Sequence, residues 1–157
     1  MTIKIGDNLP EGSFKIWNGD GMEVVTQSDY FANKKVAVFG LPGAFTPTCS
    51  AAHLPGYVVK SDELAAKGID AVACLSVNDA FVMSAWKNAS NAESITMLAD
   101  GDGSFCTALG LEQVIPSMGI RSQRFSMVVD NGQVTHLNIE APGKFDVSDV
   151  DTLLGQL

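Results

Sequence analysis

Apolar residues occur along this chain in short continuous runs. The clearest runs cover Lys35–Leu41, Ile69–Val77 and Ile95–Ala99. Runs of this length are typical of strands that are buried on both faces of a parallel sheet. Pro42 and Gly43 directly follow the first run and end it. The pattern therefore predicts three buried strands.

Segments with helical character lie between these runs. A helix is predicted after Thr46-Pro47, with Pro55-Gly56 marking a kink or a break. Ser61–Lys67 is predicted to form a second helix, which Gly68 closes. Both helices lie between the first and second predicted strands.

Two later helices are predicted from caps and apolar stripes. Asn78 is the expected N-cap of a helix over Ala80–Lys87, and a last helix is expected over Ser148–Leu154. The apolar stripe of the earlier helix is predicted to comprise two i, i+4 pairs, Phe81/Ala85 and Val82/Trp86.

A hairpin is the strongest turn signal in the chain. Phe125–Val129 and Gln133–Ile139 flank the turn residues Asp130-Asn131-Gly132. The predicted order is strand, two helices, strand, helix, strand, hairpin and helix, which favours a central mixed sheet flanked by helices on both faces. This is an α/β, thioredoxin-like arrangement. Because no repeat or long linker interrupts it, we predict a single domain over residues 1–157.

Composition excludes several classes of protein. With 46% hydrophobic residues the chain can form a packed interior, and no apolar run approaches the ~18 residues of a membrane span. Its net charge of −8 argues against nucleic acid as a partner, because phosphate contacts need clustered Lys and Arg. The segment Met1–Asp7 has no apolar signal-peptide core, from which we expect a cytoplasmic protein.

The three cysteines, Cys49, Cys74 and Cys106, argue against two kinds of site. An odd number without a signal peptide is not typical of a secreted disulfide framework. No close Cys or His pair has the spacing of a structural zinc site, so no metal is expected. The cysteines are then either all buried thiols, or one of them is reactive.

The segment Pro42–Ser50 favours Cys49 as the reactive thiol. Thr46 suits the N-cap position and Pro47 the first helical position, which puts Cys49 in the first turn of a helix that follows a central strand. Free N–H groups and the positive end of the helix stabilise a thiolate there. A buried structural cysteine remains the alternative interpretation.

Four segments resemble the type II, or peroxiredoxin-5-like, peroxiredoxins. The pattern Pro-x-x-x-Thr-x-x-Cys is present as Pro42, Thr46 and Cys49, and the fuller string PGAFTPTCS is followed by HLPG at residues 53–56. CLSVNDAFVMSAW, from Cys74, and RFSMVVDNG, from Arg124, are similar to the family as well. The resemblance extends over essentially the whole chain.

The resemblance implies a thiol peroxidase that needs no metal, flavin or haem. Cys49 would attack one peroxide oxygen and become a sulfenic acid. Thr46 would hold the peroxide through its hydroxyl, and Pro42 would shield the thiolate pocket. Arg124 would stabilise the thiolate and the departing oxygen with a fixed cation. Backbone N–H groups near Thr48 and Cys49 would help to orient the substrate.

Four other residues have competing interpretations. Arg121 also offers a cation, but the family pattern selects Arg124 and leaves Arg121 in the preceding loop. His53 shares a helix face with Cys49, which would also suit a hydrolase or transferase, and we favour a hydrogen-bonded structural histidine. Cys74 is expected to be a buried strand residue. The sequence gives no strong account of Cys106.

The C-terminal segment departs from that of many animal relatives. Residues 143–151 contain no cysteine, which puts an intramolecular disulfide in doubt. The resemblance is therefore closer to the plant and bacterial enzymes, with glutathione and glutaredoxin favoured as reductants over thioredoxin, and it implies a homodimer. Two alternatives remain: a thioredoxin-like disulfide oxidoreductase, although Ala52 stands where Cys-x-x-Cys needs its second cysteine, and a non-enzymatic peroxide sensor or binding module.

Overall fold

The computed structural model describes all residues from 1 to 157. The strands are β1 (Ser13–Trp17), β2 (Met22–Thr26), β3 (Lys35–Gly40), β4 (Ala71–Ser76), β5 (Ile95–Ala99), β6 (Glu112–Ile115), β7 (Gly119–Ser122), β8 (Phe125–Asp130) and β9 (Gln133–Ile139). The helices are α1 (Gln27–Phe31), α2 (Leu54–Val59), α3 (Ser61–Ala66), α4 (Ala80–Ala89), α5 (Ser104–Leu109) and α6 (Val150–Gln156). A π-helical turn, Cys49–His53, directly precedes α2. None of these helices is long and apolar enough to cross a membrane.

Seven strands form one mixed sheet in the order β2-β1-β5-β4-β3-β8-β9. The central strands β3, β4 and β5 are parallel, while β8 pairs with β3 in the antiparallel direction. The start of β8 therefore lies beside the carboxyl end of β3. Strands β6 and β7 form a separate two-stranded sheet.

Helices cover both faces of the large sheet. On one face, buried side chains of the sheet pack against α2, α3, α4 and α6, and on the other they pack against α1 and α5. Residues of β3 alternate between the two, since Ala37 and Phe39 belong to the first core and Val36 and Val38 to the second. The predicted thioredoxin-like α/β fold, with a central mixed sheet between two helical layers, is confirmed.

The structure corrects the predicted start and apolar stripe of α4. Asp79, not Asn78, is the N-cap, because its carboxylate accepts a hydrogen bond from the Val82 N–H at 2.9 Å. The predicted stripe is wrong as well: Phe81 is 58% exposed. The face of α4 that packs on the sheet consists of Ala80, Met83 and Trp86. Residues 80–83 are all apolar, so the sequence does not indicate which of them face the sheet.

Other elements gave no clear signal in the sequence. The hairpin of β1 and β2 lies at one edge of the sheet, and most β2 residues are exposed, so neither strand forms a continuous apolar run. Half of the residues in the hairpin of β6 and β7 are exposed, and these two strands contain no continuous apolar run either. The hairpin of β8 and β9 is present as predicted, with positive φ angles at Asn131 (47°) and Gly132 (83°).

Gly40 allows strands β3 and β8 to pack closely. It pairs with Phe125 across β3 and β8, and a Cβ at Gly40 would lie 2.0 Å from Cε1 of the Phe125 ring. Phe125 is fully buried and directly follows Arg124 in the chain. The absence of a side chain at Gly40 therefore allows the Phe125 ring to occupy its place and fixes the start of β8.

We expect Gly40→Ala to lower the free energy of unfolding by about 1–3 kcal/mol, because the methyl group must displace a packed ring. Gly155→Ala is the matched control, since a Cβ at Gly155 would have no heavy atom within 4 Å and the helix gains a better helix former. Urea unfolding of both variants measures the difference. Equal stability of Gly40→Ala and the unsubstituted protein would contradict the packing argument.

Candidate active site

In the helix that carries Cys49, the first backbone hydrogen bond is accepted by Thr46. The Thr46 carbonyl accepts a hydrogen bond from the Ser50 N–H at 3.0 Å. The Thr46 hydroxyl, however, donates to the Gly43 carbonyl at 2.6 Å and does not cap the helix as expected. Thr46 thus closes the turn that follows β3, and its hydroxyl oxygen keeps its lone pairs for another donor.

Pro55-Gly56 is predicted to mark a kink or a break; the helix continues through these residues, and the distortion is a π turn that directly precedes them. In the π turn the Leu54 N–H donates to the Cys49 carbonyl, five residues back. Proline has no N–H, and its ring clashes with the carbonyl four residues before it in a regular α-helix. The wider turn accommodates Pro55, and the helix continues through α2.

Cys49 is fully buried and lies against a guanidinium group. Arg124 Nη2 donates a hydrogen bond to Cys49 Sγ at 3.2 Å, although 75 residues separate the two in the chain. The Thr48 and Cys49 N–H groups, in the first turn of the helix, have no hydrogen-bond partner within the protein. The sulfur therefore has a cation on one side and free backbone donors on its own turn.

His53 lies behind Arg124 and is fully buried. Its Nδ1 is 3.0 Å from Arg124 Nη1, and its Nε2 is 3.1 Å from the Ser148 carbonyl oxygen. A guanidinium only donates, so Nδ1 is the acceptor and the ring proton resides on Nε2. Burial, reinforced by the positive charge of Arg124, lowers the pKa of His53 to about 3. The imidazole is therefore neutral and hydrogen-bonded on both sides, as expected for the structural histidine that the sequence analysis favoured.

The Ser148 carbonyl is itself held in place. Tyr57 donates its hydroxyl hydrogen to the same oxygen at 2.9 Å. The Ser148 N–H and hydroxyl both donate to Glu140 Oε2, at 2.8 and 2.7 Å, and the N–H groups of Asp146 and Val147 donate to the same carboxylate. Burial opposes ionisation of Glu140, but these hydrogen bonds outweigh it and lower the pKa of the carboxyl. Glu140 thus anchors the segment that meets His53.

Two side chains contact the residues just before and just after Cys49, and the sequence analysis did not predict either contact. Asn78 Oδ1 accepts hydrogen bonds from the Ala44 N–H at 3.0 Å and from the Ser76 hydroxyl at 2.6 Å. Trp86 Nε1 donates to the Ser50 hydroxyl at 3.0 Å. The position of Asn78, just past the carboxyl end of a parallel strand, is the one sequence signal that indicated a role at this edge of the sheet.

Arg121 lies in strand β7, not in a loop as expected. Its Nη1 donates to the Pro42 carbonyl at 3.3 Å, and its Nε donates to the Met118 carbonyl at 3.2 Å. Arg121 therefore fixes the backbone of the loop that contains Pro42. Of the two arginines, it is Arg124 that donates to the sulfur.

A cleft of about 330 Å³ opens beside this group of residues. Its lining includes Pro42, Thr48 and Arg124, together with the segment from Glu140 to Phe145. The half-buried Arg124 thus contacts both the cleft and the sulfur of Cys49. Of the four predicted site residues, Pro42 and Arg124 line the cleft. Cys49 does not line it but is buried in contact with Arg124, and Thr46 lies at the start of the helix that carries Cys49.

The other two cysteines have surroundings that disfavour a thiolate. Cys74 is fully buried in β4, where burial, and then the nearby Cys49, raise the pKa of its thiol well above the ordinary value. Cys106 is fully buried in α5, and burial raises the pKa of its thiol to about 11. Both are neutral thiols near pH 7, and all three cysteines are free.

Comparisons with known proteins agree on one family. The family model described as Redoxin matches residues 4–154. Peroxiredoxin-2C of Arabidopsis thaliana is 43% identical over 159 residues, which cover 99% of this chain and 98% of that protein. The hybrid peroxiredoxin hyPrx5 of Haemophilus influenzae is 44% identical over 162 residues, which cover 100% of this chain and 67% of that protein.

A solved structure is similar over the same length. The crystal structure of reduced Prx3 from Vibrio vulnificus in complex with hydrogen peroxide has a TM-score of 0.96 and 53% sequence identity, and the match covers 99% of each chain. Fold, family model and full-length relatives thus lead to the same assignment. The chain belongs to the Redoxin family and, within that family, to the type II (peroxiredoxin-5-like) peroxiredoxins, which are thiol peroxidases.

Proposed function

We propose that this peroxiredoxin reduces hydrogen peroxide and small organic hydroperoxides in a one-cysteine cycle, with Cys49 as the nucleophile. The observation that carries the proposal is the hydrogen bond from Arg124 Nη2 to Cys49 Sγ at 3.2 Å. A guanidinium stays charged at all physiological pH values, so it stabilises a thiolate that has no exposure to water.

The first step forms one bond and breaks another. The Cys49 thiolate attacks one peroxide oxygen, the S–O bond forms, and the O–O bond breaks. The departing oxygen carries the negative charge and takes a proton to become water or an alcohol. Arg124 and the free N–H groups of Thr48 and Cys49 are the donors available to that charge. Cys49 is left as a sulfenic acid.

Thr46 and Pro42 have supporting roles in this proposal. The Thr46 hydroxyl gives its hydrogen to the Gly43 carbonyl, which leaves its oxygen to accept a hydrogen bond from the peroxide. Pro42 is half-buried at the mouth of the cleft, where its ring limits the access of water to the thiolate. No flavin, haem or metal takes part in the step.

An external thiol then regenerates Cys49. Cys74 and Cys106 are buried neutral thiols, which attack a sulfenic acid poorly because the thiolate is the nucleophile. Glutathione would condense with the sulfenic acid, release water and leave a mixed disulfide on Cys49. Glutaredoxin would remove the glutathione by thiol exchange, and thioredoxin is the alternative reductant.

This cycle needs abundant reduced thiol, and for that reason we place the enzyme in the cytoplasm. We also propose a homodimer, as the resemblance implies. Large apolar side chains are exposed in the loop before Cys49, at the start of α4 and in β7: Phe45 (56%), Phe81 (58%) and Ile120 (48%), respectively. Contact between two copies of the chain would remove such side chains from water.

We expect Cys49→Ser to abolish peroxide turnover, because a serine hydroxyl near its ordinary pKa is a poor nucleophile toward peroxide. Cys74→Ala and Cys106→Ala are the controls, with alanine chosen so that no hydroxyl is buried without a partner. Both should keep most of the activity in a peroxide-consumption assay. Turnover by Cys49→Ser, with loss in either control, would assign the nucleophile to another cysteine.

Intact-protein mass spectrometry after one equivalent of peroxide should show a gain of one oxygen. Added glutathione should then give its adduct on Cys49, and glutathione with glutaredoxin should support faster peroxide consumption than thioredoxin with its reductase. A rapid loss of two hydrogens instead, mapped to Cys49–Cys74 or Cys49–Cys106, would show an internal disulfide. The one-cysteine cycle would then be wrong, while the peroxidase activity would stand.

Light scattering of the reduced protein should give twice the chain mass of 16.6 kDa. Replacing the exposed ring with Phe81→Ser should shift the mass toward that of one chain, since this change removes apolar surface from a contact between copies. A single-chain mass for the unsubstituted protein at micromolar concentration would rule out the homodimer.

A further inference from the structure

We propose that the cleft beside Arg124 binds the thiol that reduces Cys49, and that Lys144 selects glutathione there by holding one of its carboxylates. The inference rests on the proposed function, in which glutathione regenerates the oxidised Cys49. It adds to that function the place where the tripeptide binds and the residue that recognises it.

The charges that line the cleft differ from those of the whole chain. The chain has 10 basic and 18 acidic residues, which give a net charge of −8. The cleft is lined by two cations, Arg124 and Lys144, and by one carboxylate, that of Glu140. Glutathione has two carboxylates and one ammonium group at pH 7, so an acidic protein repels it except where cations are concentrated. The lining of the cleft provides such a place.

Of the two cations, Lys144 is the one that is free to bind a ligand. Arg124 already donates a hydrogen bond to the sulfur of Cys49. Lys144 is exposed and forms no salt bridge. The Glu140 carboxylate is occupied, because it accepts hydrogen bonds from the N–H groups of residues 146–148. The Lys144 ammonium group therefore has its charge available for a carboxylate that enters the cleft.

Two amide side chains in the lining suit a peptide. Gln113 Nε2 donates to the Ser122 carbonyl at 2.9 Å, and Gln123 Nε2 donates to the Glu112 carbonyl at 3.3 Å. These contacts hold the amides in place and leave each Oε1 without a donor, so both oxygens can accept hydrogen bonds from the N–H groups of a peptide. The acyl chain of a fatty-acid hydroperoxide offers no such donors. The lining thus favours a polar tripeptide over a fatty-acid hydroperoxide.

The cleft is large enough for a small ligand and lies next to the reacting residue. Its volume of about 330 Å³ falls within the range of small-molecule sites, about 300–1,000 Å³. Cys49 itself is buried, but Thr48, which precedes it, and Arg124, which contacts its sulfur, both line the cleft. The Phe145 ring, adjacent to Lys144 in the chain, has its centroid 5.7 Å from the guanidinium carbon of Arg124. A tripeptide bound at Lys144 therefore has its thiol on the side of the cleft nearest to Cys49.

The step that this site serves is a condensation. The sulfur of glutathione attacks the sulfur of the Cys49 sulfenic acid, so that an S–S bond forms and the S–O bond breaks. The hydroxyl group leaves with the proton of the glutathione thiol, which makes water. The product is the mixed disulfide, and glutathione is the reductant.

The test compares glutathione with β-mercaptoethanol, a thiol without a carboxylate, after one equivalent of peroxide has oxidised Cys49. Mass spectrometry of quenched samples gives the rate at which each adduct forms. Lys144→Gln should slow the glutathione adduct about threefold relative to the β-mercaptoethanol adduct. Lys144→Glu should slow it about tenfold, because the charge at the site changes sign.

Lys67→Glu is the matched control for net charge. Lys67 is exposed and precedes β4, so it lies at the amino end of the parallel strands, whereas Cys49 follows the carboxyl end of β3. Lys67→Glu should leave the ratio of the two adduct rates unchanged. An unchanged ratio in Lys144→Glu, or an equal change in Lys67→Glu, would overturn the inference and leave the one-cysteine cycle intact. An internal disulfide in place of both adducts would overturn the cycle and the inference together.

A carboxylate could also reach Lys144 on a peroxide substrate. Oxidation of Cys49 by linoleic acid hydroperoxide and by hydrogen peroxide is therefore measured in the same variants. If Lys144→Glu slowed only the oxidation by the fatty-acid hydroperoxide, the lysine would recognise the peroxide and not glutathione, and the proposal would be wrong.

NMR of the unsubstituted, reduced protein tests the site without any variant. S-methylglutathione, which has no thiol to react, should shift the side-chain amide signals of Gln113 and Gln123 and the backbone amide signals near Lys144. Shifts confined to other parts of the chain, or no shifts with the ligand in the millimolar range, would overturn the proposal even if both Lys144 variants failed to fold.

Discussion

The contact between the sulfur of Cys49 and the guanidinium of Arg124 is the constraint on which this site depends. A buried thiolate is costly without a positive partner, because no water solvates it. The sheet provides that partner: the antiparallel pairing of β3 with β8 brings the end of one strand beside the start of the other. Gly40 permits the close approach, so a backbone feature of the core determines where the cation lies.

The surroundings of a cysteine, and not its residue type, decide its chemistry in this protein. Cys74 and Cys106 are as deeply buried as Cys49, but they lie among apolar groups that raise the pKa of each thiol. Cys49 differs in having a donated hydrogen bond from a cation and unpaired N–H groups on its own helical turn. All three thiols are therefore buried, but only Cys49 is a candidate nucleophile.

The hydrogen bonds behind Arg124 extend to Glu140, which also lines the cleft. Glu140 anchors the backbone around Ser148, whose carbonyl orients His53, and His53 contacts Arg124. In this series of hydrogen bonds, the neutral imidazole of His53 lies between the Glu140 carboxylate and the Arg124 guanidinium. The positive charge is thus fixed in direction without being neutralised, which suits a group that stabilises developing negative charge.

The sequence by itself determined the buried strands and the β8–β9 hairpin, because apolar runs and the Asn131-Gly132 turn are local signals. It also placed Cys49 at a helix start and named Arg124 through a family pattern. Only the tertiary structure showed that Asp79 caps α4 and that Asn78 instead accepts a hydrogen bond from the active-site loop. It also showed that His53 contacts Arg124. The contacts of Asn78 with Ala44 and of His53 with Arg124 join residues that lie 34 and 71 positions apart in the chain, and periodicity carries no information about such pairs.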